Sequence, residues 1–209
     1  MKHMTLSNII EACHGTYHGP QERLSAVAEG VVIDSRKVDE GFVFIATKGE
    51  RVDGHSFVRQ VMEKGALCVV AQHALHQEDF GPDAEICYIQ VTDSFQALKD
   101  IAAFYRRQLS IPVIGITGSV GKTSTKEMIA GVLSAKYRVL KTEGNLNNEI
   151  GLPLTILSIR GQHEVAVVEM GISDFGEMSR LTAIARPDIC VITNIGQCHL
   201  ENLGTRDGI

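Results

Sequence analysis

A short glycine loop, set between an apolar run and an amphipathic one, constrains this chain more than anything else. Residues 113–124 read Val-Ile-Gly-Ile-Thr-Gly-Ser-Val-Gly-Lys-Thr-Ser. The β-branched run predicts a strand over 113–117, and the pattern beyond the lysine predicts a helix over 123–133. Glycines at 118 and 121 let the backbone curl so that several N–H groups converge, and a helix N-terminus adds a partial positive charge. Such a loop suits phosphate. Thr117, Gly118, Ser119, Val120 and Gly121 would wrap it, Lys122 would bridge the β- and γ-phosphates of a nucleotide, and Thr123 would offer its hydroxyl oxygen to Mg²⁺. The spacing departs from the common G-x-x-x-x-G-K-[ST] form, because Ile116 stands at the first glycine position. The remaining G-x-x-G-K-T string arises by chance in roughly one chain per hundred of this length. The alternative is a structural turn carrying a stray lysine.

Charge makes this loop matter more. With 20 Lys and Arg against 25 Asp and Glu, the net charge is −5. No global positive field exists to hold a nucleic-acid backbone or an anionic membrane, so an anionic ligand has to be gripped locally. A composition of 44% hydrophobic and 22% charged residues excludes a disordered, collagen-like or coiled-coil chain. Cys13, Cys68, Cys87, Cys190 and Cys198 are odd in number and form no C-x-x-C pair. They read as buried thiols in a reducing cytosol, not as a disulfide framework or a zinc knuckle. The N-terminus forms no apolar signal core, and the longest apolar runs are strand-sized, far short of the ~20 residues of a membrane helix. The expectation is a soluble, cytoplasmic protein.

Along the chain, Leu6, Ile9, Ile10 and Cys13 predict an opening amphipathic helix, followed by extended segments at 31–33 and 42–46. A helix through Val58, Val61 and Met62 is expected to close at Gly65, with strands at 67–71 and 86–91 and a polar surface excursion over 72–85. Leu98, Ile101, Ala102, Tyr105 and Leu109 define a second helix, capped by Asp93 with Gln96 three residues on. After Pro112, strands at 113–117, 138–140, 165–169 and 188–193 alternate with helices at 123–133, 152–157 and 177–185. Almost uninterrupted apolar strands in that order indicate a parallel sheet covered on both faces. The fold class is therefore α/β, a small mixed α/β N-terminal domain of residues 1–92 followed by a P-loop parallel-sheet domain of residues 93–209.

Ligands in open α/β sheets gather at the carboxyl ends of the strands. Glu169 ends the apolar run 165–168, where a carboxylate either solvates a loop or faces Mg²⁺ beside the phosphates. The strand at 188–193 leads to His199, which taken alone is a hydrogen-bonded structural residue and taken with its neighbours is a second metal ligand. The segment 141–151 holds three Asn and two Gly. It serves either as a turn and helix cap or, through residues such as Asn145 and Asn148, as a group that orients phosphate or an acceptor substrate.

Four strings now add up. T-G-S-V-G-K-T at 117–123, G-N-L-N-N-E-I-G-L-P-L-T at 144–155, V-E-M-G at 168–171 and N-I-G-Q-C-H-L-E at 194–201 resemble, in order and spacing, the ATP-dependent Mur ligases. The G-N-x-N-N loop and the E-M-G strand end look like the branch that adds D-alanyl-D-alanine to a UDP-N-acetylmuramoyl-tripeptide. Asp34-Ser35-Arg36, the run 41–46 and the stretch 48–55 resemble the family's uridine-nucleotide domain. The resemblance implies an amide-bond ligase of peptidoglycan biosynthesis. ATP would phosphorylate the tripeptide's terminal carboxylate, and the amine of D-alanyl-D-alanine would displace phosphate from the acyl phosphate. It further implies catalytic roles for Lys122, Glu169 and His199, with Thr123, Glu169 and His199 holding Mg²⁺. Ser35, Arg36, Lys48 and Gly49 would contact the uridine diphosphate, their plainer reading being a turn followed by a solvated basic face. The full-length enzyme is expected to be a monomer.

The resemblance runs to Ile209, ten residues after His199. The family continues with a lysine, often carbamylated, then the adenine pocket and a third domain. The chain is accordingly expected to be the first domain and the front half of the ATPase domain, turning over poorly alone. Three alternatives stand beside this. One is a ligase that adds the third amino acid, one an unrelated P-loop kinase or GTPase, and one a non-catalytic nucleotide-binding module. Against the GTPase, Asn194 is followed by Ile195-Gly196 and not by a guanine motif.

Overall fold

Thr5 accepts the Asn8 N–H on its hydroxyl and so starts helix α1 (Leu6–Cys13), whose Leu6, Ile9, Ala12 and Cys13 point inward. In the computed structural model, which describes residues 1–82 and 84–209, this helix opens the first of two units, Met1–Tyr105 and Arg106–Ile209. The elements that follow are β1 (Thr16–His18), β2 (Gly30–Val32), β3 (Phe42–Ile45), α2 (Val58–Glu63), β4 (Cys68–Ala71), α3 (Gln77–Phe80), β5 (Tyr88–Gln90) and α4 (Ser94–Arg107). The strands form one sheet in the order β1-β5-β4-β3-β2, parallel except for β1. Asp93 caps α4 by accepting the N–H groups of Phe95 and Gln96, whereas the Gln96 side chain turns forward to Asp100 and closes no capping box. The division between the units falls inside this helix.

Alternation along β3 decides what the first sheet buries. Phe44 and Ala46 pack with Val58, Val61, Val69 and Tyr88 in one fully enclosed cluster. The polar stretch 72–85 differs from the excursion expected of it. Leu75 and Phe80 return into that cluster, Phe80 at 1% exposure at the end of α3. Strand β1 went unpredicted. Three residues between Gly15 and Gly19 carry too little periodicity to announce a strand, and only pairing with β5 makes one.

The second unit contains β6 (Val113–Thr117), α5 (Lys122–Ser134), β7 (Val139–Lys141), α6 (Gly151–Leu157), β8 (Val165–Glu169), α7 (Glu177–Ala185), β9 (Ile189–Ile192) and α8 (Leu200–Leu203). All four strands are parallel, in the order β7-β8-β6-β9. From β6 the chain crosses over β8 to reach β7, and from β8 it crosses over β6 to reach β9. Right-handed crossovers running in opposite directions put their helices on opposite faces and open a crevice between the carboxyl ends of β6 and β8. Ile114 and Ile116 of β6, Val165 and Val167 of β8 and Ala130 of α5 share one buried cluster. Period-two alternation then turns Glu169 to the α5 side as well. Buried Arg106 donates to Ala185 O at 2.8 Å and to Asp188 Oδ2 at 3.1 Å, and the same carboxylate receives the Val113 N–H at 2.8 Å, which fixes where β6 begins.

The expected cover on both faces holds for β8, which is buried at every position, but not for β9. Ile189 and Ile192 are 54% and 62% exposed, because among the described residues β9 stands at the sheet edge, paired with β6 alone. Cys13, Cys68 and Cys87 are buried free thiols, as expected, whereas Cys190 on this edge is exposed and Cys198 is half-buried. Among the described residues, no helix is long and apolar enough to cross a membrane.

The Phe44 cluster sets the stability of the first unit. Truncating this fully buried ring in Phe44→Ala is expected to cost about 3–5 kcal/mol, through lost transfer energy and the cavity left behind. A fall in the denaturant midpoint of the first unit's transition, followed by circular dichroism, checks this.

Candidate functional site

The glycine loop between β6 and α5 is shaped by a close approach to the segment after β9. Gly118 has φ +134°, and a Cβ there would lie 2.1 Å from Thr193 Oγ1, so no side chain fits. Gly121 sits at φ +82° immediately before α5. The Ser119 N–H donates to Asn194 O at 3.1 Å and the Val120 N–H to Asn194 Oδ1 at 3.1 Å. The Thr193 hydroxyl donates to Val120 O at 2.6 Å. The Ser119 hydroxyl lies 3.2 Å from Cys198 Sγ, which donates to it. Asn194 engages two loop amides, while the first N–H groups of α5 have no partner within the helix. No side chain caps this helix. A 13-residue helix with an uncapped N-terminus opening into a cleft is a ready anion site.

Ser119, Val120, Gly121, Lys122, Thr123 and Ser124 form one wall of that cleft, with Gly144, Asn145, Asn147 and Glu169 opposite, around about 440 Å³. Lys122 folds back to donate to Gly118 O at 2.6 Å. Its ammonium is thus stored on the loop within reach of whatever the loop holds. Glu169, only 2% exposed, accepts the Thr123 hydroxyl on Oε2 at 3.0 Å and the Asn147 amide on Oε1 at 2.8 Å. Its own N–H donates to Thr142 Oγ1 at 2.9 Å.

These hard oxygens fit Mg²⁺, which takes few protein ligands and completes its shell with phosphate and water. Among the described residues, no group of three or more His, Cys, Asp or Glu side chains could hold a metal ion. His199 does not line the cleft. It takes a left-handed φ of 49° before α8, is exposed, and lies 3.6 Å from Glu201.

In the Asn-rich segment the structure divides the work differently from the sequence reading. Asn145 lines the cleft, while Asn148 accepts the N–H groups of Ile150 and Gly151 at the start of α6. The residue that reaches Glu169 is Asn147. Lys126 was missed too. Its Nζ donates to Thr142 O at 2.8 Å and lies 3.7 Å from Glu169 Oε2, with the side chain buried. The signal was present, since residues 122, 126, 130 and 133 fall on one helical stripe, but a lysine is ordinarily read as exposed.

In the first unit, Ser35 and Arg36 follow β2, and Lys48 and Gly49 follow β3. Parallel pairing brings both stretches to the carboxyl edge of one sheet. Ser35 is buried and its carbonyl accepts Lys64 Nζ at 2.8 Å. Gly49 closes a tight turn by donating to Val52 O, and Lys48 bridges to Asp53 through the backbone. Arg36 is forked onto Asp34, with Nε to Oδ1 at 2.9 Å and Nη2 to Oδ2 at 2.8 Å.

Comparison with known proteins agrees with this geometry. The profile of the Mur ligase middle domain matches residues 116–209, and that of the Mur ligase family catalytic domain matches residues 27–106. This chain belongs to the Mur ligase family. It is 46% identical over 205 residues to the UDP-N-acetylmuramoyl-tripeptide–D-alanyl-D-alanine ligase of Bacillus subtilis, covering 98% of this chain and 44% of that protein. The crystal structure of MurF from Acinetobacter baumannii superposes with a TM-score of 0.83 at 37% identity, over 98% of this chain and 44% of that one. A MurF ligase from Thermotoga maritima, solved in complex with ADP, superposes at 0.74 with 39% identity, over 86% of this chain and 40% of that one. The chain thus spans less than half the length of the relatives it matches.

The Asp34–Arg36 fork has a pH signature. Hydrogen bonding from the guanidinium holds the Asp34 carboxyl at about 2, against an ordinary 3.8. The folded state then binds this proton less readily than the unfolded chain. The pair's contribution to stability is complete above the ordinary value and is lost as pH falls from there through about 2. In Arg36→Ala the Asp34 carboxyl is expected to titrate back toward 3.8, read by carboxyl carbon shifts in a pH series.

Proposed function

We propose that this chain supplies the nucleotide-sugar-binding and ATP-phosphate-binding portions of a UDP-N-acetylmuramoyl-tripeptide–D-alanyl-D-alanine ligase of peptidoglycan synthesis. The observation that carries the reading is the meeting of Thr123 and Glu169 at 3.0 Å in the mouth of the glycine loop, beside the uncapped start of α5. Residues 1–92 receive the UDP-linked tripeptide, with Ser35, Arg36, Lys48 and Gly49 at the carboxyl edge of their sheet as contacts. Residues 93–209 receive ATP. The cytosol as location and a monomeric state belong to the same proposal.

In this reading a terminal carboxylate oxygen of the tripeptide attacks the γ-phosphorus of ATP. The bond to the β,γ-bridging oxygen breaks, ADP leaves and an acyl phosphate forms. The amine of D-alanyl-D-alanine then attacks the acyl carbon, loses a proton, and phosphate departs as the amide is made. Positioning and charge stabilisation do most of this work. Lys122 exchanges Gly118 O for phosphate oxygens. Thr123 and Glu169 present their oxygens to Mg²⁺, which when bound neutralises charge on the β- and γ-phosphates. His199 is the proposed ligand of a second Mg²⁺, and Asn145 lies on the wall that meets phosphate or acceptor, while Asn148 supports that wall by holding the start of α6. Arg36 has an alternative partner ready: a diphosphate can take the guanidinium that Asp34 now holds.

Calorimetric titration of the chain with ADP and GDP in excess Mg²⁺ tests the site. Adenine nucleotide is expected to bind, and Lys122→Ala to weaken binding at least ~10-fold, since it removes a charge-assisted contact to the phosphates. A guanine preference, or unchanged affinity in Lys122→Ala, would overturn the proposal.

A further inference from the structure

Lys126 is a cation where the helix should be apolar. On α5 it follows Lys122 by one turn and precedes Ala130 on the stripe that packs against β6, β7 and β8. Its side chain is 2% exposed. An ammonium there has to be compensated, and replacing a buried ion pair with well-packed apolar residues is often neutral or stabilising. Stability alone therefore gives weak reason for a lysine.

Its partners show what it does. Nζ donates to Thr142 O at 2.8 Å, and Thr142 in turn accepts the Glu169 N–H on its hydroxyl at 2.9 Å. Nζ also stands 3.7 Å from Glu169 Oε2, the oxygen that receives the Thr123 hydroxyl. Glu127 Oε1 lies 3.4 Å away, but Glu127 is half exposed and already pairs with Lys141. The buried charge that faces Lys126 is that of Glu169. Lys126 is buried and is not part of the cleft lining, so it meets Glu169 from within the protein.

We propose that Lys126 is a positioning residue for Glu169. It balances the buried charge and, through Thr142, locks α5 to the ends of β7 and β8, so that Thr123 and Glu169 hold their places with the cleft empty. This rests on reading the cleft as an ATP–Mg²⁺ site. The two lysines then divide the task, Lys122 serving the phosphates and Lys126 serving the carboxylate that meets their counter-ion.

The experiment is ADP titration calorimetry on the 209-residue chain, once in excess Mg²⁺ and once with a chelator. K126Q keeps a donor for Thr142 O but removes the charge. It is expected to lose ~10–100-fold in Mg²⁺-dependent ADP affinity, as when groups behind a metal ligand are removed, with little change in the chelated sample. K126R, which keeps the charge, is expected to retain most of the affinity. In an E169Q background K126Q should add nothing, because its effect passes through Glu169. Wild-type affinity in K126Q, an equal loss with and without Mg²⁺, or an undiminished loss in the E169Q background would overturn the inference. If K126Q does not fold, K126Q/E169Q is expected to fold, since both charges leave together, and failure to recover would overturn it as well. No ADP binding by the unsubstituted chain would instead overturn the ATP-site reading itself.

Discussion

A carboxylate with 2% exposure survives only if its surroundings supply donors, and the second unit is arranged around meeting that demand for Glu169. Four elements contribute. Helix α5 brings Thr123 and Lys126 and the Asn-rich segment brings Asn147 toward the carboxylate, Thr142 after β7 accepts the Glu169 main-chain N–H, and β8 delivers the carboxylate itself. Each contact ties a loop at the carboxyl edge of the sheet to its neighbour. The site and the sheet edge are thus one structure, and removing one partner leaves the others facing an uncompensated charge.

The topology explains why this happens between β6 and β8. Their crossovers leave in opposite directions, so loops part there and leave room for a ligand, while Ile116 and Glu169 sit opposite each other in the ladder. The loop after β6 carries the phosphate-binding pattern and the strand opposite ends in the carboxylate. Register alone brings an apolar strand residue and an acid 53 positions later in the sequence into one crevice.

Strong periodicity made much of this legible in the sequence. The strand 113–117, the helix 177–185 and the strand 165–169 lie where apolar alternation or helical spacing puts them, and the glycine loop announced its own turn. What stayed hidden was tertiary in origin. Strand β1 exists through pairing, α3 lies in a stretch whose charged residues mask the buried Leu75 and Phe80, and Lys126 is buried against the usual habit of its side chain. Among three asparagines, composition could not tell that Asn147 bonds to Glu169 while Asn148 serves the α6 N-terminus. Local chemistry is the same for all three, and only the path of the backbone separates them.

The uneven burial of the second sheet also bears on how this polypeptide behaves when handled. Among the described residues, no strand pairs with the far side of β9, which is flanked by half-open Ile189 and Ile192 and by a free thiol at Cys190. Such a margin is a template for strand addition and intermolecular cross-linking. At high concentration, self-association along that rim competes with the dispersed state, and a reducing agent suppresses its covalent component without removing the noncovalent one.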